Sequence, residues 1–360
     1  MPHDRTSFDV LVIGAGPTGM ASAIECQRAG FVTALVDKGS LVNSLFHYPA
    51  NMTFFTTPEL LEIGDLPFNS ANQKPTRQEA LEYYRNVAQH YHLDIRQYQQ
   101  VISVTGHDGA FRAMVRDRNN REVEYSSRKI VVATGYYDLP NYMRIPGEDL
   151  PKVMHYYKEP HPYFDMDVMV VGAKNSAAIA ALELWRRGSR VTLVHRGAGI
   201  HNNVKYWIKP DIENRIKNRE VTAYFNSSVC EILPDAVRLK TPDGERVLKN
   251  DFVFALTGYH PDYDFLRAVG IQLSTPEMRP VCDPDTFESN VPGIYVAGVV
   301  VSGSRTSEIF IENGRFHGRK IAEDLAGKMK GKMKATLSEE QIAVSEAQTI
   351  IAPTHWVNEE

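Results

Sequence analysis

The stretch that most constrains the fold is DVLVIGAGPTG, at residues 9–19. Residues 10–13 form an uninterrupted aliphatic run, which predicts a strand buried on both faces of a parallel sheet. The run ends in three glycines spaced as G-x-G-x-x-G, namely Gly14, Gly16 and Gly19. Residues 20–28 have the composition of a helix. A strand, a glycine-rich turn and a helix in this order favour a site for the pyrophosphate of a dinucleotide over a turn with no ligand.

Each glycine has a separate physical task in such a site. Gly14 permits the tight turn, Gly16 lets a pyrophosphate approach the backbone, and Gly19 lets the helix pack close to the strand. The next predicted strand covers residues 33–36 and ends in Asp37. A carboxylate at this distance from the glycines accepts hydrogen bonds from a ribose.

A second unit of the same kind begins at Asp167, in DVMVVGAKNSA. Gly172 is retained, whereas other residues replace the later glycines: Asn175, Ser176 and Ala177. The following strand ends in His195 and Arg196, where the first unit has an acid. A guanidinium at this position suits a ribose 2′-phosphate, which favours NADPH over NADH. The alternative is that Arg196 is an ordinary surface charge.

An acid at one ribose position and an arginine at the other indicate two different dinucleotides. The first unit suits a tightly held FAD and the second suits an exchangeable NADPH, so hydride transfer between them is predicted. We predict an α/β fold of two Rossmann-like dinucleotide-binding domains, with the NADPH domain inserted into the FAD domain. The predicted segments are 1–160 (first part of the FAD domain), 161–255 (NADPH domain), 256–330 (second part of the FAD domain) and 331–360 (tail).

Three further strand ends have small residues that suit contact with a dinucleotide. The strand KIVVATG ends in Ala133, Thr134 and Gly135, which would let a second backbone segment close over the ligand. A plain strand-to-loop turn is the alternative at this position. Gly258 follows a strand that returns the chain to the first domain, and the final strand ends at Gly298.

Other segments are predicted from periodicity and capping residues. Residues 39–68 show neither helical nor strand period and predict an ordered loop across the ligand, with a short helix near residues 58–63. Residues 77–91 predict a helix with Thr76 as its N-cap. Residues 309–324 predict the last helix of the second FAD segment.

Composition and charge limit the function classes. The formal net charge of −4 provides no basic field for nucleic acid. No apolar run approaches the length of a signal peptide or membrane span, so we expect a cytoplasmic protein that contacts no membrane. The cysteines are far apart and form no C-x-x-C, which gives no spacing for a zinc site or a redox dithiol. Cys26 and Cys230 are predicted in the core, and Cys282 in a partly exposed turn.

Several motifs together resemble the two-dinucleotide flavoprotein reductases of thioredoxin-reductase type. The resemblance covers about residues 8–325 and rests on GAGPTG, the A-T-G at 133–135, the G-Y-H-P at 258–261 and the A-G at 297–298. Longer segments resemble the bacillithiol-disulfide reductase branch: NSLFHYPANMTFFTTPELLEIGDLPF, VVGAKNSAAIAALEL, VKYWIKPDIENRI and IFIENGRFHG. The resemblance implies a homo-oligomeric, NADPH-dependent FAD enzyme whose reduced flavin reduces a low-molecular-weight disulfide.

The resemblance also implies the residues that contact each cofactor. Those expected at the FAD pyrophosphate are Gly14, Gly16, Pro17, Thr18 and Gly19, with Asp37 and Lys38 at the adenosine ribose. Those expected near the flavin are Asn43, His47, Tyr48, Gly298, Glu308 and Ile309. Those expected at NADPH are Gly172, Lys174, Asn175, Ser176, Ala177, His195 and Arg196.

The sequence departs from its relatives at three positions that bear on mechanism. Thioredoxin reductases have a C-x-x-C in the inserted domain, and its absence here excludes a dithiol relay. Thr18 stands where many members of the branch have a cysteine, and Val299 replaces the acid usual after the last A-G. The mechanism that these departures leave open is direct electron transfer from the flavin to a bound disulfide or another acceptor. His47 is the candidate proton donor to a leaving thiolate, although a structural histidine is the alternative.

Two other functions fit the same organisation. One is an electron-transfer enzyme of the ferredoxin- or flavodoxin-NADP reductase kind, whose partner would be a small redox protein. The other is a nucleotide-responsive binding protein in which the flavin is structural. Bleaching of the flavin colour by NADPH separates the enzymes from the binding protein, and the reoxidising acceptor separates the two enzymes.

Overall fold

The structure is a computed structural model that describes residues 5–329, so the predicted tail at 331–360 lies outside the described residues. The helices are α1 Pro17–Arg28, α2 Asn43–His47, α3 Arg77–His90, α4 Asn175–Arg186, α5 Lys209–Lys217, α6 Tyr263–Ala268, α7 Ile311–Gly314 and α8 His317–Met329. Short 3-10 turns occupy Pro58–Leu60, His161–Tyr163 and Gly298–Ser302.

The strands alternate with helices around both glycine-rich turns, as in an α/β fold. They are β1 Ser7–Ile13, β2 Thr33–Val36, β3 Asp94–Arg96, β4 Gln99–His107, β5 Ala110–Asp117, β6 Glu122–Val132, β7 Val153–Met154, β8 Asp167–Val171, β9 Arg190–Val194, β10 Thr222–Tyr224, β11 Ser228–Ile232, β12 Ala236–Thr241, β13 Gly244–Lys249, β14 Phe252–Ala255 and β15 Ile294–Val296. The predicted buried run at residues 10–13 lies in β1, where Val10, Leu11 and Val12 are fully buried.

The strands form separate sheets. The first has the order β3-β2-β1-β6-β5-β4, with β15 also paired to β6. In it β1 pairs in parallel with both β2 and β6, so their carboxyl ends meet at one edge. The second sheet is parallel, in the order β10-β9-β8-β14-β7, and β11, β12 and β13 form a small antiparallel sheet. The chain therefore leaves the first sheet after β6, builds the other two, and returns to the first at β15.

The predicted domain boundaries at residues 160 and 255 stay predictions. β7, at Val153–Met154, precedes the first of them and pairs with β14 of the second sheet. The two chain crossings between the sheets lie side by side. The amide of Asn141 donates to the carbonyl of Gly258 at 2.9 Å, and the amide of His260 donates to the carbonyl of Leu139 at 3.0 Å.

Tyrosine rings pack around these crossings. We call the group Tyr48, Tyr136, Tyr137, Tyr156 and Tyr259 the tyrosine cluster. The ring centroid of Tyr137 lies 4.8 Å from that of Tyr48 and 4.6 Å from that of Tyr259, and Tyr156 stacks on Tyr259 at 5.3 Å. The cluster therefore ties both crossings to the segment that follows α2.

Several predicted elements differ from the structure. The loop at 39–68 contains the unpredicted helix α2, and residues 58–63 hold only a 3-10 turn. α2 lies against α3 because the Nε of Arg77 donates to the carbonyl of Leu45 at 3.0 Å. α3 itself has the predicted cap, since the Thr76 side chain accepts the Glu79 amide within a capping box. β3, β7 and α6 were not predicted, although Asp262 caps α6 by accepting the Phe265 amide at 2.9 Å.

The predicted last helix is split into α7 and α8, and a glycine in each packs against a different neighbour. A Cβ on Gly314 would lie 3.4 Å from the Cα of Gly298. A Cβ on Gly318 would lie 2.5 Å from the Cα of Ser22, so α8 packs with its backbone directly on α1.

His317 starts α8 and joins it to the end of β15. Its ring stacks on Phe287 at a centroid distance of 4.0 Å, and its Nδ1 accepts the amide of Gly298 at 3.1 Å. The acceptor role of Nδ1 puts the proton of the neutral ring on Nε2. Burial, followed by the charge of Lys320, lowers the pKa of His317 to about 4.

This buried histidine predicts a loss of stability in acid. Because the unfolded chain binds a proton to His317 near pH 6.5 and the folded chain only near pH 4, the free energy of unfolding falls as the pH drops through this window. The contribution is about 3 kcal/mol when complete. His317→Gln, which retains an acceptor, should show a smaller decrease between pH 7 and pH 4 in urea denaturation. His107→Gln at an exposed position should follow the native protein, and parallel curves for all three would contradict the assignment.

Candidate functional site

The first glycine-rich turn lies where β1, β6 and α1 converge. Gly14 has φ +110°, and a Cβ there would lie 2.3 Å from the carbonyl oxygen of Ala133. A Cβ on Gly19 would lie 2.0 Å from the carbonyl oxygen of Gly14. Gly16 differs, since its Cβ would meet nothing within 4 Å. Two glycines are thus required by close backbone contacts, whereas the third leaves open space beside the amino-terminal turn of α1, where Pro17 is the first helical residue.

A cleft opens beside this turn. Predicted residues that line it are Gly14, Asp37, Lys38, Thr134 and Gly135. The structure adds residues that the sequence analysis missed: Gln99, Gln100, His260 and Asp262. The buried Oγ1 of Thr134 has no hydrogen-bond partner, and Gly135 has φ +72° with open space where a Cβ would be. An unsatisfied hydroxyl and two open glycines fit a phosphate-bearing ligand such as FAD.

Asp37 lies at the end of β2 and faces this cleft. Its carboxylate accepts the amide of Ala15 at 2.7 Å and that of Gly39 at 2.8 Å. Burial raises the pKa of Asp37, while these two amides act in the opposite direction. Lys38 pairs with Asp138 at 3.0 Å. Each Asp37 oxygen uses one hydrogen bond, so a carboxylate in this setting retains acceptor capacity for a ribose hydroxyl.

Two residues predicted near the flavin, Gly298 and Ile309, lie beside Thr18, which was predicted at the pyrophosphate. A Cβ on Gly298, which has φ +78°, would lie 3.1 Å from the side chain of Thr18. Ile309 belongs to the same group, because a Cβ on Gly314 would lie 3.3 Å from both its Cγ2 and the Thr18 hydroxyl. Glu308 is engaged elsewhere, since its carboxylate pairs with Arg279 at 2.8 Å. Gly258 lies apart from this group, in the ladder between the two crossings.

The other residues predicted near the flavin lie in α2 and just after it. His47 Nδ1 lies 2.9 Å from the carbonyl oxygen of Asn43, so Nδ1 donates and Nε2 is left for other partners. The Asn43 side-chain oxygen accepts the amide of Ser40 at 3.2 Å, which fixes the turn before the helix. Tyr48 belongs to the tyrosine cluster, and burial raises the pKa of its phenol.

The second turn, between β8 and α4, repeats only part of the first. Gly172 has φ +134°, and its Cβ would lie 2.6 Å from the carbonyl oxygen of Leu256 and 3.2 Å from the Cβ of Ala177. Lys174 and Ser176 are exposed at the start of α4. The side-chain oxygen of Asn175, the first residue of α4, accepts the amide of Lys205 at 3.0 Å. It therefore anchors a neighbouring loop.

Positive groups gather beyond this turn. The pKa of His195 is lowered by burial and by the charges of Arg196, His201 and Lys174. Arg196 is exposed and makes no ion pair within residues 5–329. Repulsion among these side chains is relieved by an anion, so the cluster has the charge that a ribose 2′-phosphate requires.

Cys26, Cys230 and Cys282 are all free thiols. Cys26 is buried as predicted, and burial raises its pKa to about 12, which removes thiolate character. Cys230 lies in β11 but is only half-buried, because that strand belongs to the small antiparallel sheet rather than to a two-sided core. Cys282 is also half-buried, and burial raises its pKa.

Residues 5–329 contain no group of three or more His, Cys, Asp or Glu side chains arranged to hold a metal ion. None of their helices has both the length and the apolar character needed to cross a membrane.

A family comparison decides the class of the protein. The family model described as pyridine nucleotide-disulphide oxidoreductase matches residues 11–298. The chain belongs to this family. The pyridine nucleotide-disulphide oxidoreductases use FAD and NADPH, so the predicted enzyme class and cofactors are confirmed.

Individual relatives and solved structures agree with this family assignment. Bacilliredoxin reductase Bdr of Bacillus subtilis is 43% identical over 323 residues, which cover 88% of this chain and 97% of the relative. The structure of bacillithiol disulfide reductase Bdr from Bacillus cereus has a TM-score of 0.88 at 43% identity, covering 89% of this chain and 99% of that one. Thioredoxin reductase of T. acidophilum, at 23% identity, has a TM-score of 0.71, covers 91% of this chain and 100% of its own, and shows the shared fold. The predicted branch and fold class are therefore confirmed.

The glycines of the first turn give a paired prediction. Gly16→Ala should fold normally, because its Cβ meets nothing, but should be purified with much less FAD, because the methyl group occupies the space of the pyrophosphate. Gly19→Ala should lower the melting temperature, because its methyl group would overlap the carbonyl of Gly14. FAD per chain from absorbance and thermal melting by circular dichroism check both. Gly327→Ala, also in open space, is the control, and full FAD content in Gly16→Ala would exclude this placement of the pyrophosphate.

Proposed function

We propose that this enzyme uses NADPH to reduce a low-molecular-weight disulfide through bound FAD, with bacillithiol disulfide as the substrate. The observation that carries the proposal is 43% identity along 88% of the chain to a protein named bacilliredoxin reductase, together with the structural match to proteins named bacillithiol disulfide reductase. The absence of a C-x-x-C supports direct reduction of the disulfide over transfer through a protein dithiol.

In this proposal the first turn and its cleft hold FAD. Gly16 leaves room for the pyrophosphate, Asp37 accepts from the ribose, and the free hydroxyl of Thr134 donates to the ligand. Ile309, Thr18 and Gly298 form one surface at the other end. FAD held by these residues would supply the two-electron chemistry that links NADPH to the disulfide.

The second turn holds NADPH in the same proposal. Arg196 and Lys174 contact the 2′-phosphate, and His195 remains neutral beside them because burial and the two positive charges lower its pKa. The exposure of Arg196 and Lys174 suits a cofactor that binds and leaves in each cycle. The two sites would thus differ in the exposure of the side chains that contact the cofactor, with the more exposed side chains at the exchangeable NADPH.

A thiolate that leaves a disulfide must be protonated, and we assign this task to His47. Its Nδ1 donates to the carbonyl of Asn43, so Nε2 is the atom that would carry the exchangeable proton. We further propose a homo-oligomer in the cytoplasm, as expected from the sequence, because this form is implied by the resemblance to the thioredoxin-reductase type.

Arg196→Ala tests the NADPH assignment. The variant should bind NADPH more weakly by about 1.5–3 kcal/mol, since it loses a charged hydrogen bond to the 2′-phosphate, and should bind NADH almost as before. Titration of both nucleotides by calorimetry measures the difference. Arg187→Ala removes an exposed arginine at the end of α4 and serves as the control. Equal losses for NADPH and NADH in Arg196→Ala would reject the assignment.

Anaerobic spectroscopy tests the function as a whole. NADPH should bleach the flavin absorbance of the purified holoenzyme, and bacillithiol disulfide should restore it with continuing turnover. Colour that persists with NADPH would indicate a binding protein. Reoxidation only by a small iron–sulfur or flavin protein would indicate an electron-transfer reductase and would overturn the proposal.

A further inference from the structure

Aromatic and basic side chains from two parts of the chain, residues 55–74 and 205–207, lie against each other. We call them the bridging cluster, and its members are Phe55, Lys74, Lys205, Tyr206 and Trp207. From its geometry we propose that the bridging cluster is a binding subsite for the carboxylates and the ring or methylene portion of an anionic disulfide substrate. This inference rests on the proposed function, because it names the substrate chemistry that the same site selects.

The cluster is held together by contacts between cations and rings. The Nζ of Lys74 lies 3.5 Å from the ring centroid of Trp207, and the Nζ of Lys205 lies 5.4 Å from that of Phe55. The rings of Phe55 and Trp207 are 6.1 Å apart in an edge arrangement. Each lysine thus contacts a ring contributed by the other part of the chain.

Both halves of the cluster are anchored to the predicted cofactor regions. The first half lies on a small ladder in which the amide of Phe54 donates to the carbonyl of Pro75 at 2.8 Å. Its loop begins at α2, which carries His47. The second half is fixed by the hydrogen bond from the Lys205 amide to Asn175 of the second turn. A ligand on the cluster therefore contacts the segments that lead to both sites.

The charge of the cluster is unbalanced. Lys74 and Lys205 are half-buried, and neither pairs with a carboxylate within residues 5–329. Lys209, four residues after Lys205, differs because it pairs with Glu213 at 3.9 Å and bonds Asn202 at 3.0 Å. Ring faces satisfy an ammonium only in part, so two partly desolvated cations favour an anionic ligand.

The same cluster exposes apolar surface beside these charges. Tyr206 is 81% exposed and Trp207 is 40% exposed. Their rings are perpendicular, with centroids 4.8 Å apart, and form a corner that a sugar ring or alkyl chain can occupy. The combination of two cations and one aromatic corner matches a small organic anion better than a simple phosphate, which needs no apolar surface.

The proposal predicts selection among disulfides by charge. Bacillithiol disulfide and oxidised glutathione carry carboxylates, whereas cystamine carries only ammonium groups. Binding of each to the oxidised holoenzyme is measured by calorimetry, and turnover is measured where it occurs. The anionic disulfides should bind, and cystamine should bind much more weakly.

Single substitutions assign the effect to the cluster. Lys74→Ala and Lys205→Ala should each raise the Kd and KM for anionic disulfides by about tenfold, as expected for a lost charged contact, and leave kcat within about twofold. Cystamine binding should not weaken in either variant. The rate of flavin bleaching by NADPH should also stay unchanged. Lys209→Ala removes the same charge from a paired lysine and should leave disulfide binding as in the native protein.

Other results would overturn the subsite. If the lysine variants show slower flavin bleaching and a lower melting temperature but unchanged disulfide affinity, the cluster only holds two parts of the chain together. Equal losses for cystamine and the anionic disulfides, or a response only to a protein acceptor, would reject recognition of a small anion. Binding of anionic disulfides without turnover would contradict the proposed function and leave the subsite intact, so the two failures are distinguishable.

Discussion

The close backbone approach at the carboxyl ends of β1 and β6 is the constraint on which the rest of the first site depends. Gly14 can lie against the carbonyl of Ala133, and Gly19 against that of Gly14, only because neither carries a Cβ. With α1 held this near to β1, the open space at Gly16 and the first turn of α1 follow directly on Gly14, which lines the cleft. Gly318 in turn lets α8 pack against α1. Close backbone contacts therefore connect β6, β1, α1 and α8.

The second site keeps the fold of the first and changes its chemistry. Gly172 still lies against a backbone carbonyl, but the later glycines are replaced, and Asn175 anchors the loop of Lys205 instead of leaving open backbone. Side-chain cations at Lys174 and Arg196 supply the attraction for an anion. Such exposed charges are screened by water and salt.

Sequence patterns predicted the elements whose stability depends on residues close in sequence. The buried runs in β1 and β8, the glycine turns and the Thr76 cap have short-range causes, and the structure contains them at the expected residues. α2 was not predicted, and the Arg77 side chain that donates to its Leu45 carbonyl lies 32 residues away in sequence. The break between α7 and α8 was not predicted either. The tyrosine cluster and the bridging cluster unite distant segments, so no pattern of spacing could reveal them. The assignment of individual residues to FAD and NADPH stays a prediction.

The ladder between Leu139–Asn141 and Gly258–His260 brings the two ends of a long excursion of the chain next to each other. The segment between them contains the second and third sheets, and its two ends lie side by side at these crossings. An insertion with adjacent ends can be exchanged between related proteins without stretching the scaffold that receives it. The second and third sheets can therefore change as one module while the first sheet is retained.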